Sequence, residues 1–585
     1  MFQTKFQPID CVELHHQLAG NTVLSGRKGM AIRKAGWMSL SLAALLAVTT
    51  FTGLERYASA QGAGDDKGSA HRYEEDADAA HAWRSWGGNL ENTHGSSFET
   101  KVSPETAGKL TTKWVFQTAG DVSATPTVEG KSVYVPDWGG FLYRIDADTG
   151  AAIWSHKLSD YTGNAKSLSR NSPAIGRDRI VLGDQAGATI LAVDKLHGDL
   201  LWQTTVDTSA GAGITSSPLI VGDRVYVGVS SQQEGLATHP GFTLTFRGSI
   251  VCLDLLTGHV IWQTFTVPDG YTGGAVWGSN FVADLKRNSL FVSSGNNYSI
   301  PDAATACVAG ATTATAKLAC LDPNDLLDAV ISLDMYTGKI KWSRRLEGVD
   351  TFTVSCLVNP MAGIPCPDPA GPDFDFGSAP NLFTTDVKGK PTEVLGAGQK
   401  SGVYWALDPD NGNVMWGTQV GPGGSLGGIE WGSATDGKRI YTEINNNNHI
   451  PYQLAPANTQ TVNAGSWAAL DAVTGAILWQ VPASGQNPLN PTLAAGSTGQ
   501  TTIANGVFFA GSLSGDMVAL DAATGKLLWK FASGGSVVSG PSIVDGTLYW
   551  GSGYSNIGIG TGNNKLYAFS IRTSNKKSGK GDSHR

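Results

Sequence analysis

Residues 519–529 read ALDAATGKLLW, and the same phrase returns six more times along the chain. The other copies are RIDADTGAAIW (144–154), AVDKLHGDLLW (192–202), CLDLLTGHVIW (252–262), SLDMYTGKIKW (332–342), ALDPDNGNVMW (406–416) and ALDAVTGAILW (469–479). Self-similarity at a period of tens of residues marks a repeat architecture. Each copy reads as a strand, a tight turn at Asp…Gly, and a second strand ending in Trp. Gly supplies the positive φ of the turn, and Asp bonds the turn's own backbone. Most copies follow another strand pair, such as SATPTVEGKSVYVPD or SSPLIVGDRVYVGVS. Four short strands per unit make a propeller blade.

One further strand set follows Trp529 (GPSIVDGTLYWGSGY, then NKLYAFSI), without a closing Trp strand. A strand of the missing kind, KLTTKWVFQT with Trp114, stands alone near the start. The prediction is an all-β, eight-bladed β-propeller whose N-terminal strand completes the last blade and leaves no open edge there. The recurring Trp reads as structural, docking blade on blade.

Gly is abundant (74 of 585 residues) and charge is sparse, as tight turns and buried strands require. A net charge of −8 argues against a nucleic-acid partner. Arg27, Lys28, Arg33 and Lys34 precede the apolar run WMSLSLAALLAVTTFTG, and a small-x-small cleavage site ends at Ala60. The run is short for a membrane span. Residues 1–60 are therefore expected to be a presequence, with Met30 as an expected start of translation. The mature chain, with a net charge near −11, is expected to be periplasmic or secreted, with no stable membrane span after processing.

Six cysteines suit an oxidising compartment. Cys11 falls in the presequence. Cys307 with Cys320, and Cys356 with Cys366, bracket two insertions and are the expected disulfides. Cys252 lies on a blade strand and is expected to be a buried free thiol. The chain has no CxxCH, GxxxxGK[ST] or HExxH, which argues against covalent c-type haem, P-loop and zincin chemistry.

Residues 61–84 read as a flexible polar leader, 85–571 as the propeller and 572–585 as a basic disordered tail. Successive blade Trp residues, from Trp114 on, lie 40, 48, 60, 80, 74, 63 and 50 residues apart. A blade needs about 40 to 50. The excess lies before Trp262, Trp342, Trp416 and Trp479. Insertions in repeats become loops, and loops on a rigid scaffold carry function, so a site is expected from blades three to six.

Several stretches outside the repeat resemble the quinoprotein alcohol dehydrogenases, a family that uses pyrroloquinoline quinone (PQQ) and calcium. WRSWGGNLENTHGSSFETKVSPETAGKLTTKW (83–114) and DFDFGSAPNLF (373–383) resemble the polyvinyl alcohol dehydrogenases within it. The repeat itself is shared with non-enzymatic propellers such as the BamB outer-membrane assembly factor, so a binding or assembly module is the alternative. The resemblance implies that Glu234, in VSSQQEG, and Asn296, in SSGNNYS, are calcium ligands. Their hard oxygens suit that ion. Phe374-Asp375-Phe376 resembles the family's aromatic–Asp–aromatic triplet, whose Asp is the catalytic base and here is also expected at the metal. Aromatic neighbours would desolvate the carboxylate and favour its role as proton acceptor. Asp373 is its rival. Gly377 stands where lanthanide-type relatives carry an extra Asp, which favours calcium.

Trp277, outside the blade-closing series, resembles the Trp that floors the PQQ ring. Arg170 resembles a carboxylate contact, and Lys400 resembles the basic residue beside the quinone carbonyls. Thr215 and Ser217 are weaker polar matches. The implied assignments are thus Arg170, Thr215, Ser217, Glu234, Trp277 and Lys400 to the cofactor, Glu234, Asn296 and Asp375 to the metal, and Asp375 to catalysis. Each has a plainer reading singly: a turn Asn, a solvated Glu, a capping Asp, a packing Trp, a surface ion pair. Three departures stand out. The chain lacks the family's adjacent cysteine pair, Glu430 precedes Trp431 where relatives often have Asn, and no haem motif is present. Electrons would then leave to an external acceptor such as cytochrome c. The implied reaction is oxidation of an alcohol or hydroxylated polymer substrate at a secondary carbinol.

Overall fold

The computed structural model describes residues 81–278, 280–358 and 363–571. The presequence, the leader up to residue 80 and the tail from 572 lie outside the described residues. Eight blade sheets follow in order, and in the first seven the successive blade strands pair antiparallel along the chain. Blade 1 is built on 127–157, blade 2 on 174–205, blade 3 on 219–265, blade 4 on 282–345, blade 5 on 381–419, blade 6 on 434–482 and blade 7 on 502–532. Blade 8 has three strands within 542–571, and Leu110–Gln117 pairs antiparallel with Lys565–Ile571 as its outer strand.

The repeated phrase explains both the turn and the packing between blades. In the turn of blade 1 the Asp146 carboxylate accepts from the Thr149 N–H and hydroxyl, each at 2.8 Å. Asp521 and Thr524 repeat the arrangement in blade 7. The turn glycine has a second duty. A Cβ on Gly525, which has φ +71°, would lie 2.7 Å from the Trp479 ring of the preceding blade. The indole N–H of Trp479 donates to the Ala522 carbonyl of that turn at 3.0 Å, and Trp202 does the same to Leu255 at 2.9 Å. Trp416 departs from this pattern, since its indole N–H is buried without a partner. Core clusters therefore form between sheets. Val181 and Ile190 of blade 2, for example, share a cluster with Val225 and Val251 of blade 3.

The N-terminal segment corrects the expected leader boundary. Ala82–Trp83 pairs with Val128–Glu129 as a fifth strand of blade 1, and Trp83 is buried, so the packed chain starts before residue 85. From there the segment runs as a strap across the first strands of several blades. Backbone carbonyls of Arg84, Leu90, Glu91, Thr93 and His94 accept from the N–H groups of Ile175, Ala283, Leu382, Thr435 and Ile503. Those N–H groups sit on the innermost strands, whose edges would otherwise lack partners.

His94 in this strap is buried edge-on against Trp86, with ring centroids 4.3 Å apart. Burial pushes its imidazole down to about 3. The unfolded chain, with an ordinary imidazole, then binds the extra proton between about pH 6.5 and 3. Stability from a neutral His94 is complete above pH 6.5 and falls by about 1.4 kcal/mol per pH unit below it. We expect His94→Gln to flatten the fall in unfolding free energy between pH 6.5 and 5. Equal slopes in both proteins would show that His94 is not responsible.

Both expected disulfides are present, Cys307–Cys320 and Cys356–Cys366, and Cys252 is free and buried. The first ties two short helices, Asp302–Gly310 and Ala314–Leu318, inserted between strands of blade 4. The second ties part of the long connection from blade 4 to blade 5.

Candidate active site

The inner strand ends and the insertions of the middle blades meet around one cavity of about 320 Å3. Arg170, Thr215, Glu234, Trp277, Asn296, Asp375 and Lys400 all line it. Ser217 does not. It lines a smaller adjoining cavity with Trp86 of the strap, and its hydroxyl accepts from the Ser172 N–H at 3.0 Å. Arg170, Thr215, Trp277 and Trp431 face both spaces and so form the partition between them.

Local structure aims each side chain. Glu234 lies on a single helical turn, Gln233–Leu236, after the second strand of blade 3. Gln233 is fully buried. It accepts from the N–H groups of Thr245 and Phe246 and donates to the Ala210 carbonyl, which locks the turn. Asn296 follows the second strand of blade 4. Its amide N–H2 donates to the carbonyls of Asn297 at 3.2 Å and Phe352 at 3.1 Å, which leaves the amide oxygen for a ligand. Asp350 accepts from the N–H groups of Asp373 and Phe374, at 3.1 and 2.7 Å, and so sets the loop that carries Asp375. Asp373 itself is left-handed, with φ 61°. Such backbone strain in a non-glycine residue clusters at functional sites.

Asp375 is the hub. Its Oδ2 accepts from the Trp277 indole at 2.5 Å, and its Oδ1 lies 2.6 Å from the Lys400 ammonium. Lys400 also reaches Asp373 at 3.2 Å. The aromatic group that covers Asp375 is Trp277. Phe376, expected to shield it, packs instead into the core between blades 4 and 5, as alternation along an extended segment requires. Gly377 allows the close fit. A Cβ there would lie 2.6 Å from the Glu430 carbonyl and 2.9 Å from the Trp277 ring, so a larger residue at 377 would displace the indole.

The electrostatics are those of several acids around one lysine. Burial opposes the charge on Lys400, but Asp373 and Asp375 outweigh it and hold the ammonium well above the usual lysine range. Burial pushes Asp373 well above the carboxylate range in spite of Lys400. It pushes Glu234 up to about 7, also against Lys400, and Glu430 likewise to about 7. The Lys400 Nζ and Arg170 Cζ stand 5.0 and 6.0 Å from the Trp277 ring centroid. Arg170 also donates to the Tyr554 hydroxyl at 3.3 Å.

These residues fit the implied cofactor and ion. Glu234 Oε1 is buried with no hydrogen-bond partner, a hard oxygen that a cation would satisfy. Glu234, Asn296 and Asp375 offer hard oxygens to one space, and Arg170 and Lys400 offer positive charge beside a flat indole. Among the described residues no three His, Cys, Asp or Glu side chains form a metal cage. The donor set is two carboxylates and one amide, which leaves coordination positions for other oxygens.

Sequence reasoning left Tyr554 unassigned and saw Trp431 only as the neighbour of Glu430. Trp431 lines both cavities, and Tyr554 lines the smaller one beside Arg170. The signal was present in the repeat. Tyr554 follows Gly553 as Asn296 follows Gly295, and Trp431-Gly432-Ser433 in blade 6 repeats Trp277-Gly278-Ser279 in blade 4.

A polyvinyl alcohol dehydrogenase from Sphingopyxis sp. (strain 113P3) is 30% identical over 544 residues, which cover 85% of this chain and 77% of that protein. The chain belongs to the polyvinyl alcohol dehydrogenase family. With it the chain belongs to the PQQ-dependent alcohol dehydrogenases. A second member, from Pseudomonas sp., is 29% identical over 458 residues. That match covers 74% of this chain and 64% of the Pseudomonas protein, so the chain spans under two thirds of that relative. The crystal structure of quinohemoprotein alcohol dehydrogenase from Comamonas testosteroni shares the fold, with a TM-score of 0.63 at 20% identity, over 85% of this chain and 81% of that one. The family described as outer membrane protein assembly factor BamB matches residues 105–240 and 463–577. That match omits 241–462, which holds Trp277, Asn296, Asp375 and Lys400. The blades are common to both families, but these four residues belong to the stretch that the dehydrogenase relatives share.

Proposed function

We propose that this protein oxidises secondary alcohol groups, those of polyvinyl alcohol among them, with PQQ and calcium, and passes the electrons to a cytochrome c outside the cytoplasm. The observation that carries this reading is the meeting of Glu234, Asn296, Asp375, Lys400, Arg170 and Trp277 on one cavity. A plain binding propeller gives no reason for these residues, drawn from four blades, to converge.

When bound, the quinone would supply the acceptor for the carbinol hydride, and calcium the Lewis acid that strengthens it. The chain's own residues do the rest. Asp375 accepts the hydroxyl proton, and Lys400 holds that carboxylate in place while keeping positive charge beside the developing oxyanion. Glu234 and the Asn296 amide oxygen hold the ion. Arg170 grips a carboxylate of the cofactor, and Trp277 both carries its ring and orients Asp375 through the indole N–H. The expected cleavage site after Ala60 and the two disulfides support an exported enzyme. Among the described residues no helix is long and apolar enough to cross a membrane.

The test is reconstitution of the chain from residue 61. Dye reduction with polyvinyl alcohol or a short secondary alcohol should need both PQQ and calcium. Glu234→Gln should raise the calcium concentration for half-maximal activity by roughly tenfold or more, as loss of a charged ligand does. Failure of PQQ to quench the tryptophan fluorescence of the wild type, with no turnover, would sink the reading and favour a binding module.

A further inference from the structure

The cavity opens to solvent at a mouth whose chemistry the reaction does not explain. Of the described residues lining it, Gln232, Leu357 and Ile557 are the exposed ones. Leu357 is 57% exposed and Ile557 42%, and both border the space that holds Asp375. Val358, next to Leu357, is 49% exposed.

Both aliphatic groups stand on anchored backbone. Leu357 follows the short 3-10 turn Val354–Cys356, and the Cys356–Cys366 disulfide closes its loop. The loop is fastened to the Glu234 segment, where Ile364 N–H donates to the Ala237 carbonyl at 2.8 Å. Ile557, on a different segment of the lining, lies beside a turn held by Asp121, whose carboxylate accepts from the Ser555 N–H and hydroxyl at 2.7 Å each. A backbone anchored on each segment reduces the ordering cost when a ligand meets the side chains it carries.

We propose that Leu357 and Ile557 form a specificity rim that grips the hydrocarbon backbone of a hydroxylated chain on both sides of the carbinol being oxidised. This rests on the alcohol-oxidising reading above and deepens it by naming the substrate's backbone. A carbinol inside a chain has two carbon arms, and with the carbinol at Asp375 both must leave through the mouth. A chain of alternating methylene and carbinol carbons presents apolar edges to Leu357 and Ile557 and hydroxyls to Gln232. A sugar chain would call for aromatic platforms, and none of the exposed lining side chains, Gln232, Leu357 and Ile557, is aromatic. A docked electron-acceptor protein would have no need of side chains that also line the space holding Asp375.

The test uses the cofactor-loaded enzyme and the variants Leu357→Ser, Ile557→Ser and the double. Each site is exposed, so folding should survive, and Leu357→Met serves as the conservative control. With polyvinyl alcohol the double variant should raise KM roughly fivefold to tenfold while kcat changes less than twofold, as loss of apolar contact predicts. The KM for a short secondary alcohol should hold, and Leu357→Met should restore polymer KM. Calorimetric binding of the polymer to protein without cofactor should weaken by the same factor. That readout stands even if the loaded wild type oxidises neither alcohol, which would defeat the reaction reading alone. Equal losses with both alcohols, unchanged polymer binding, or a change confined to the KM of a protein electron acceptor would each overturn the rim.

Discussion

Replacing Asp375 by Asn should lower kcat by roughly 10²- to 10⁴-fold with cofactor binding retained, the range seen when a positioned base is removed. The amide keeps the shape and an acceptor for the Trp277 indole, but it cannot take the hydroxyl proton, and it ends the 2.6 Å ion pair with Lys400. Asp373→Asn is the necessary companion. Asp373 lies on the same cavity and the same lysine, but burial pushes its carboxyl well above the usual carboxylate range, which makes it the poorer candidate for an ionised base. It should lose far less activity. Steady-state rates and quenching of the protein's tryptophan fluorescence by PQQ, measured on both variants, decide the matter. A large loss in Asp373→Asn with a small one in Asp375→Asn would move the base by two residues.

Lys400→Met should be the most destabilising single change in the site, by about 3–5 kcal/mol at pH 8, because it leaves a buried carboxylate pair without its cation. Lys400, Asp373 and Asp375 all have side chains under 10% exposed, so water can do little to compensate. The sign with pH follows from the acids left behind. Without Lys400 the folded state gains by taking up protons on them, so the stability gap from wild type should narrow as pH falls from 8 to 5. Denaturant unfolding of both proteins at the two pH values measures it. A gap that does not change with pH would mean that lost packing, not charge, sets the cost.

The blade phrase was sufficient for the fold because its parts act locally and between neighbours. Asp146 and Thr149 build their turn within four residues, and Gly525 is needed both for its φ and for the Trp479 ring above it. Such requirements repeat with the blade, so one sequence displays them many times. The strap was harder to read. WRSWGGNLENTHG has no period, and its role is to lend backbone carbonyls to five separate inner strands, a task that leaves little mark on side-chain choice.

The sequence by itself determined the eight blades, the two disulfides, and a set of site candidates drawn from motifs scattered between Arg170 and Lys400. Seven of those candidates share the main cavity and Ser217 stands outside it, a distinction of a few ångströms that linear spacing does not encode. Only the tertiary structure decided that Trp277, and not Phe376, covers Asp375, and that Lys400 pairs with Asp373 and Asp375 in a buried site and not at the surface. The physical reason is the same in each case. Local turn chemistry and blade-to-blade packing are short-ranged along the chain, whereas the charge balance of a buried site depends on which strand ends meet at the propeller's centre.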